Sequence, residues 1–188
     1  MDTSRSKIVV GIDPGFTNTG ICFMQANDIL LLDTKSFQEA LKLLDETEIA
    51  LAVVENPNLD STVFGAYDQF KKLSKKIGER KAFGSLMKKA QHVGNNKAAA
   101  KEIITYFKRR NIPVVEVAPS KRQRSYKEVR GRRIRLDPKM LKMPTKLTGA
   151  QFKKLTSHES KDEHAHDACT LIYGRYFSLI KMHLNGKI

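Results

Sequence analysis

Two short runs of this chain are apolar at nearly every position, and each stops at a carboxylate. The first is Lys7 to Asp13 (KIVVGID); the second is Ile49 to Val54 (IALAVV), followed at once by Glu55. A strand with one wet face alternates apolar and polar residues, whereas an unbroken apolar run has to be covered on both sides. Two such strands call for helices on both faces of a sheet, which is the α/β arrangement. They also place Asp13 and Glu55 at the carboxyl ends of central strands, where sites form in open α/β sheets.

The other elements follow from local signals. Ile21 to Met24 and Ile29 to Leu32 read as two further strands, with Asn27-Asp28 as the turn between them. Ser36-Phe37-Gln38-Glu39 is a capping-box pattern, so a short amphipathic helix is expected from there to about Thr47. After the break at Asn56-Pro57-Asn58, Asp60 to Gln91 carries two lysine-rich helical patterns. Ala100, Ile103, Ile104 and Phe107 form one stripe of a packed helix over Asn95 to Arg110, and Val114 to Val117 is a last strand. Ser120 to Thr148 shows little periodicity and dense positive charge, and a final helix is expected from about Glu163 to His183. A single domain over residues 1–188 is therefore expected, with a mixed five-stranded sheet flanked by helices and a basic, mobile insertion at about 120–148. A right-handed crossover would set the Ile49 strand parallel to the Lys7 strand.

Charge narrows the partners. Thirty-four Lys and Arg stand against twenty Asp and Glu, a formal surplus of +14. Such a field attracts polyanions, of which nucleic acid is the commonest. The two cysteines, Cys22 and Cys169, are far apart in the sequence and form no C-x-x-C pair. That excludes a disulfide framework, gives no structural zinc site and points to a reducing compartment. The polar start leads into a short apolar run, and no run reaches membrane-spanning length. A soluble, intracellular protein with no membrane partner is expected.

The sharpest motif is Gly11-Ile12-Asp13-Pro14-Gly15-Phe16-Thr17-Asn18-Thr19-Gly20. Pro14 holds Asp13 extended and Gly15 lets the chain turn at once. The bland role for Asp13 is to cap that turn. Glu55, directly after an apolar strand, would sit at the rim of the core, where an unpaired charge is costly; it needs a cation, either a metal ion or a lysine. The third element is Asp162-Glu163-His164-Ala165-His166-Asp167-Ala168. On a helix His164 and Asp167 share a face and His166 points elsewhere, while Glu163 and Asp167 offer a competing pair. Either histidine alone reads as an ordinary surface residue. Three carboxylates and an imidazole together suit Mg²⁺ or Mn²⁺, and two such ions could activate water and stabilise a leaving oxygen in phosphodiester hydrolysis. No small-molecule cofactor is called for.

GIDPGxxxTG, an acid closing an apolar strand (AVVEN), VAPS, and HAHDA opening the last helix resemble the RuvC type of Holliday junction resolvase, in order from Lys7 to about Arg175. The resemblance implies an RNase H-like fold, a homodimer, and paired nicks placed symmetrically across a four-way DNA junction. It implies Asp13, Glu55, His164 and Asp167 as the catalytic metal ligands; many members carry aspartate where His164 stands. Two stretches depart from the pattern: the chain is longer between Glu55 and the Asn95 helix, and the basic segment after Ser120 is extended. Phe64 is the nearest candidate for the family's junction-probing aromatic, against a plain core role. The insertions suit a phage-like or divergent member.

Lys121, Arg122, Arg124, Lys127, Arg130, Arg132, Arg133 and Arg135 crowd one segment with Glu128 as its only acid. Arginines with few apolar neighbours suit phosphates, so a DNA-binding strap is expected there. Lys71, Lys72, Lys75, Lys76, Arg80 and Lys81 form a second basic set, facing either DNA or solvent. Three rival readings stand beside a resolvase. An actin-like ATPase or sugar kinase would share Asp13, Gly15 and Gly20 but needs a second domain. A non-catalytic branched-DNA-binding protein would leave the acids without purpose. A nuclease for flaps or RNA–DNA hybrids would use the same scaffold.

Overall fold

The computed structural model describes residues 7–60, 66–124, 126–129, 132–137, 139, 141, 143–159 and 162–187; of residues 66, 67, 123, 124, 126–129, 132 and 133 only the backbone is described. Strand β1 (Ile8–Asp13) pairs antiparallel with β2 (Thr19–Gln25), which pairs antiparallel with β3 (Asp28–Lys35). After helix α1 (Phe37–Asp45), β4 (Ile49–Glu55) returns parallel to β1, and β5 (Val114–Val117) lies parallel to β4. The strand order β3-β2-β1-β4-β5 makes one mixed five-stranded sheet, the RNase H-like α/β arrangement.

Both faces of the sheet are covered, which is why β1 and β4 are apolar throughout. Val10, Ile12, Ala52 and Val54 meet α1 and the carboxyl half of α3 (Glu79–Arg109), through Leu44, Ile103 and Phe107. Val9, Leu51 and Val53 meet the other layer, α4 (Gly149–Thr156), α5 (Glu163–Ile172) and α6 (Tyr176–Leu184). Successive residues of β1 thus feed opposite cores, as the two-residue strand period requires. Cys22 and Cys169 are neighbours in the second core, and burial, then the adjacent Cys169, push the Cys22 thiol well above its ordinary value. Among the described residues no helix is long and apolar enough to cross a membrane.

Four expectations are corrected. The turn after β2 falls at Ala26-Asn27, with Ala26 in the left-handed region at φ 54°. α2 (Ala66–Ile77) is followed by one helix of 31 residues, where separate helices were expected to either side of Asn95. Gly94, Asn95 and Asn96 are weak helix formers, but each keeps its N–H, so the hydrogen-bond ladder runs through them. The last helix is two, α5 and α6, because the chain turns at Gly174 with φ 69°. The segment after Ser120 has regular structure: β6 (Gln123–Arg124) pairs in parallel with β9 (Thr145–Lys146), and β7 (Tyr126–Val129) forms a hairpin with β8 (Arg132–Arg135). Thr145 and Leu147 are buried, so that end of the segment is docked on the core. Phe64 and Arg130 lie outside the described residues.

Gly11 and Gly20 let α5 lie unusually close to the sheet. A Cβ on Gly11 would fall 2.2 Å from the Ala168 carbonyl oxygen, and one on Gly20 would fall 2.0 Å from that of His164. Neither obstacle is a movable side-chain tip; both are helix backbone. Gly20→Ala is therefore expected to destabilise by about 3 kcal/mol, lowering the melting temperature by roughly 6–12 °C for a chain of this size. Gly84→Ala, where the added Cβ meets open space on α3, is expected to hold or raise it. Thermal melts of the two variants side by side check the close approach; equal effects would refute it.

Candidate active site

β1 delivers Asp13 to the rim of the sheet, and the loop after it is closed by another residue. Thr19 Oγ1 donates to the Gly15 carbonyl oxygen at 2.5 Å. The Phe16 carbonyl accepts from Phe37 N at 3.1 Å, and the two rings meet at 5.0 Å. Asp13 faces α5 instead: His164 Nδ1 lies 2.8 Å from Asp13 Oδ2, so that nitrogen carries the donated proton and Nε2 is the acceptor of the neutral ring. This bond, ahead of the opposing effect of burial, raises the His164 pKa above its ordinary 6.5. α5 is started by Asp162, whose side chain accepts from His164 N at 2.8 Å. Glu163 is exposed in the same first turn, so His164 is the residue of that pair turned to Asp13.

β4 delivers Glu55, which is buried at 6% exposure. Two cations meet it. Arg122 Nη1 donates to Glu55 Oε2, and Lys146 Nζ stands 3.4 Å from Oε1. The same two cations reach Asp167, Arg122 Nη2 at 3.1 Å from Oδ1 and Lys146 Nζ at 2.8 Å from Oδ2. Arg122 Nη2 also bonds Thr170 Oγ1 and, at 3.1 Å, the Asp167 carbonyl. Burial raises the Glu55 pKa above the usual carboxylate value, Arg122 and Lys146 pull it back, and the nearby charge of Asp13 adds to the rise. Burial works against the Lys146 ammonium, but Asp167 and then Glu55 outweigh it and its pKa is raised.

The three acids and the imidazole singled out in the sequence thus come to one rim in two linked pairs, Asp13 with His164 and Glu55 with Asp167. Among the described residues, no three His, Cys, Asp or Glu side chains stand in a group that could hold an ion as they are arranged. Lys146 and Thr170 were not foreseen. The buried-exposed-buried alternation of Thr145, Lys146 and Leu147 is a short strand signal, and Lys146 is its one wet position.

Arg122 is corrected. It was expected in the DNA-binding strap, but its side chain is 1% exposed and both terminal nitrogens of its guanidinium are spent on Glu55, Asp167 and Thr170. A phosphate has no route to it. Lys121 and Arg135 are exposed, while the side chains of Arg124, Lys127, Arg132 and Arg133 lie outside the described residues, as does Arg130. His166 is corrected too: it is buried at 3% and stacks on Phe152 at 4.5 Å, not on the surface.

No family model matches the chain, and no curated protein sequence matches it. Among solved structures, T. thermophilus RuvC in complex with Holliday junction substrate is similar over 93% of this chain and 96% of that one, at 13% identity and a TM-score of 0.48. At that identity and score the likeness says nothing about which residues act.

Removing Arg122 would leave the buried Glu55 and the half-buried Asp167 with Lys146 as their shared cation. Arg122→Met is expected to lose on the order of 3–5 kcal/mol, and adding Glu55→Gln is expected to restore part of it by removing one carboxylate charge. Urea unfolding of the single and double variants reads both terms. A single variant as stable as the parent would show that Arg122 does not hold the rim together.

Proposed function

We propose that the chain is a divalent-metal-dependent endodeoxyribonuclease that cuts branched DNA, with the four-way junction as its substrate, and that it works as a homodimer placing paired nicks. One observation carries the reading: three carboxylates and an imidazole, from the ends of β1 and β4 and the first turns of α5, stand along one rim of the sheet in two pairs, Asp13 with His164 and Glu55 with Asp167. A chain surplus of +14 supports a polyanionic substrate. The junction is favoured over flaps and hybrids by the order of the four motifs GIDPG, AVVEN, VAPS and HAHDA.

The donor set fits Mg²⁺ or Mn²⁺, being mostly carboxylate oxygen with one imidazole. Asp13, Glu55, Asp167 and His164 would hold the ions. Bound there, the ions would lower the pKa of a water and stabilise the leaving oxygen of the phosphodiester. Asp13 commits Oδ2 to His164 and keeps its other oxygen for ligation. Arg122 is pinned from several sides and stays, holding Glu55 and Asp167 in register. Lys146 is half exposed on a flexible stem, so it is the cation that would give way to a bound ion. A non-catalytic branched-DNA-binding protein is the second reading, and the same two cations favour it, because they already neutralise Glu55 and Asp167 without metal.

Asp13→Asn separates the two. It is expected to abolish nicking of a synthetic four-way junction in Mg²⁺ while leaving junction binding intact, and to remove the rise in melting temperature that Mn²⁺ gives the parent. A parent chain whose melting temperature ignores Mn²⁺ and which never nicks would establish the non-catalytic reading.

His164 sets the pH dependence. Its pKa is raised, so the imidazolium survives to higher pH than an unperturbed histidine and competes with an ion over that range. Nicking and Mn²⁺ affinity are expected to rise through a pH above 6.5 and to fall away below it. His164→Asp is expected to move that rise to lower pH. A profile unmoved by the substitution would remove His164 from the ligand set.

A further inference from the structure

The projecting α2–α3 hairpin is a strongly basic surface that the proposed chemistry does not use. Only the carboxyl half of α3 is buried in the sheet, through Ala99, Ala100, Ile103, Ile104 and Phe107. Its first nineteen residues, 79–97, run beyond the sheet and pack on α2; at 1.5 Å per residue that is an arm of roughly 28 Å. The apolar side chains that are buried or half-buried on it are few, Phe70 and Leu73 on α2 and Ala82, Leu86 and Val93 on α3. Residues 66–97 carry nine Lys and Arg against two Asp and Glu, a surplus of seven and half of the chain's +14.

These charges are gathered. Lys72 and Lys76 of α2 and Lys89 of α3 line one groove of about 320 Å³ whose floor is Leu73 and Leu86. Lys89 Nζ reaches Gln69 Oε1 at 3.0 Å, and among the described residues no carboxylate forms an ion pair with any of the three. Lys72 and Lys76 are four apart on one helix, a spacing at which like charges repel. A surface that keeps such repulsion unrelieved is one that suits a polyanion.

The arm also points to the right place. Its base leaves the sheet at the end of β4 that carries Glu55: Asn58 Nδ2, just past Glu55, donates to the Lys97 carbonyl at 2.9 Å. Lys97 Nζ reaches the Asp60 carbonyl at 3.5 Å, and Asp60 Oδ2 accepts from Ser120 N at 2.8 Å, where the second basic segment begins. The arm and that segment therefore spring from one point beside the acid rim.

We propose that the α2–α3 hairpin is an arm that grips the phosphate backbone of a DNA duplex leading away from the rim, with Lys72, Lys76 and Lys89 as its contacts. The proposal deepens the nuclease reading and names how that site holds its substrate. Lysine ammoniums act as point charges and read backbone, not sequence, so the grip carries no base preference.

The test is the salt dependence of binding by the full chain in EDTA, where no cleavage intervenes. A labelled four-way junction is titrated with the parent, with a Lys72→Gln, Lys76→Gln, Lys89→Gln triple variant, and with Lys42→Gln on α1 as a control. Each phosphate contact contributes about 0.9 to the slope of log K against log salt, so the triple variant is expected to be shallower by two to three and at least tenfold weaker at 100 mM salt. Circular dichroism melts show whether the triple variant is folded; should it not be, the single variants replace it, each expected to lose about 0.9 of slope. An unchanged slope, or an equal loss in the control, overturns the arm. So does a triple variant that loses binding to anionic vesicles or to single-stranded RNA but not to duplex DNA. A parent that never nicks while its variant loses slope retires the nuclease reading and leaves the arm. A parent that nicks while the slope stays put retires the arm alone.

Discussion

The closeness of α5 to the first two strands is the contact on which the site depends. Helix and sheet normally stand apart by the length of their side chains. Here the helix backbone at His164 and Ala168 rests where Gly20 and Gly11 have no Cβ. The result is that a short side chain such as Asp13 can reach His164 at 2.8 Å, and Asp167 comes level with the end of β4. Move α5 outward by the width of a methyl group and the two halves of the rim separate. The glycines of GIDPGFTNTG therefore have different duties: Gly15 turns the chain, while Gly11 and Gly20 admit the helix.

Electrostatics explains how such a rim survives inside a folded protein. Two carboxylates about 4 Å apart would repel by roughly 4 kcal/mol at an effective dielectric near 20. Glu55 is also desolvated, and its raised pKa records that strain. Arg122 answers from within the core and Lys146 from the solvent side. Three carboxylates against two cations leave a single net negative charge once His164 has lost its proton. The two cations differ in what they can do. Arg122 is bound to Glu55, Asp167 and Thr170 and forms part of the frame, whereas the ammonium of Lys146 can leave without opening a hole in the core.

How much of this was legible depends on the range of the signal. β1 and β4 could be read because burial on both faces writes itself into consecutive residues, and Asp13 and Glu55 because they stop those runs. α1 was legible from its capping box, which the structure contains in full. Arg122 was misread for a physical reason: composition marks the whole segment as basic, yet one guanidinium in it is placed by pairing between β6 and β9, a contact between strands twenty-odd residues apart. Lys146 was invisible on the same ground, and so was the adjacency of Cys22 and Cys169, which only the packing of α5 on β2 creates. His166 looked like a surface residue because Phe152, which covers it, sits on a helix whose Thr148–Gln151 capping box went unread.

The distribution of charge accounts for why a strongly basic chain would keep an acidic rim. Half of the surplus lies on an arm anchored beside Glu55, so a polyanion drawn to the arm would be brought to a rim that repels phosphate. Without metal the rim is net negative, and a backbone held by the lysines would be kept from it. Under the proposed reading, Asp13, Glu55, His164 and Asp167 would hold the ions, and with the Lys146 ammonium displaced one divalent charge would offset the excess of carboxylates over Arg122. Attraction over the whole molecule and admission to the rim are then separate events, the first set by lysines that are always charged and the second by ion occupancy.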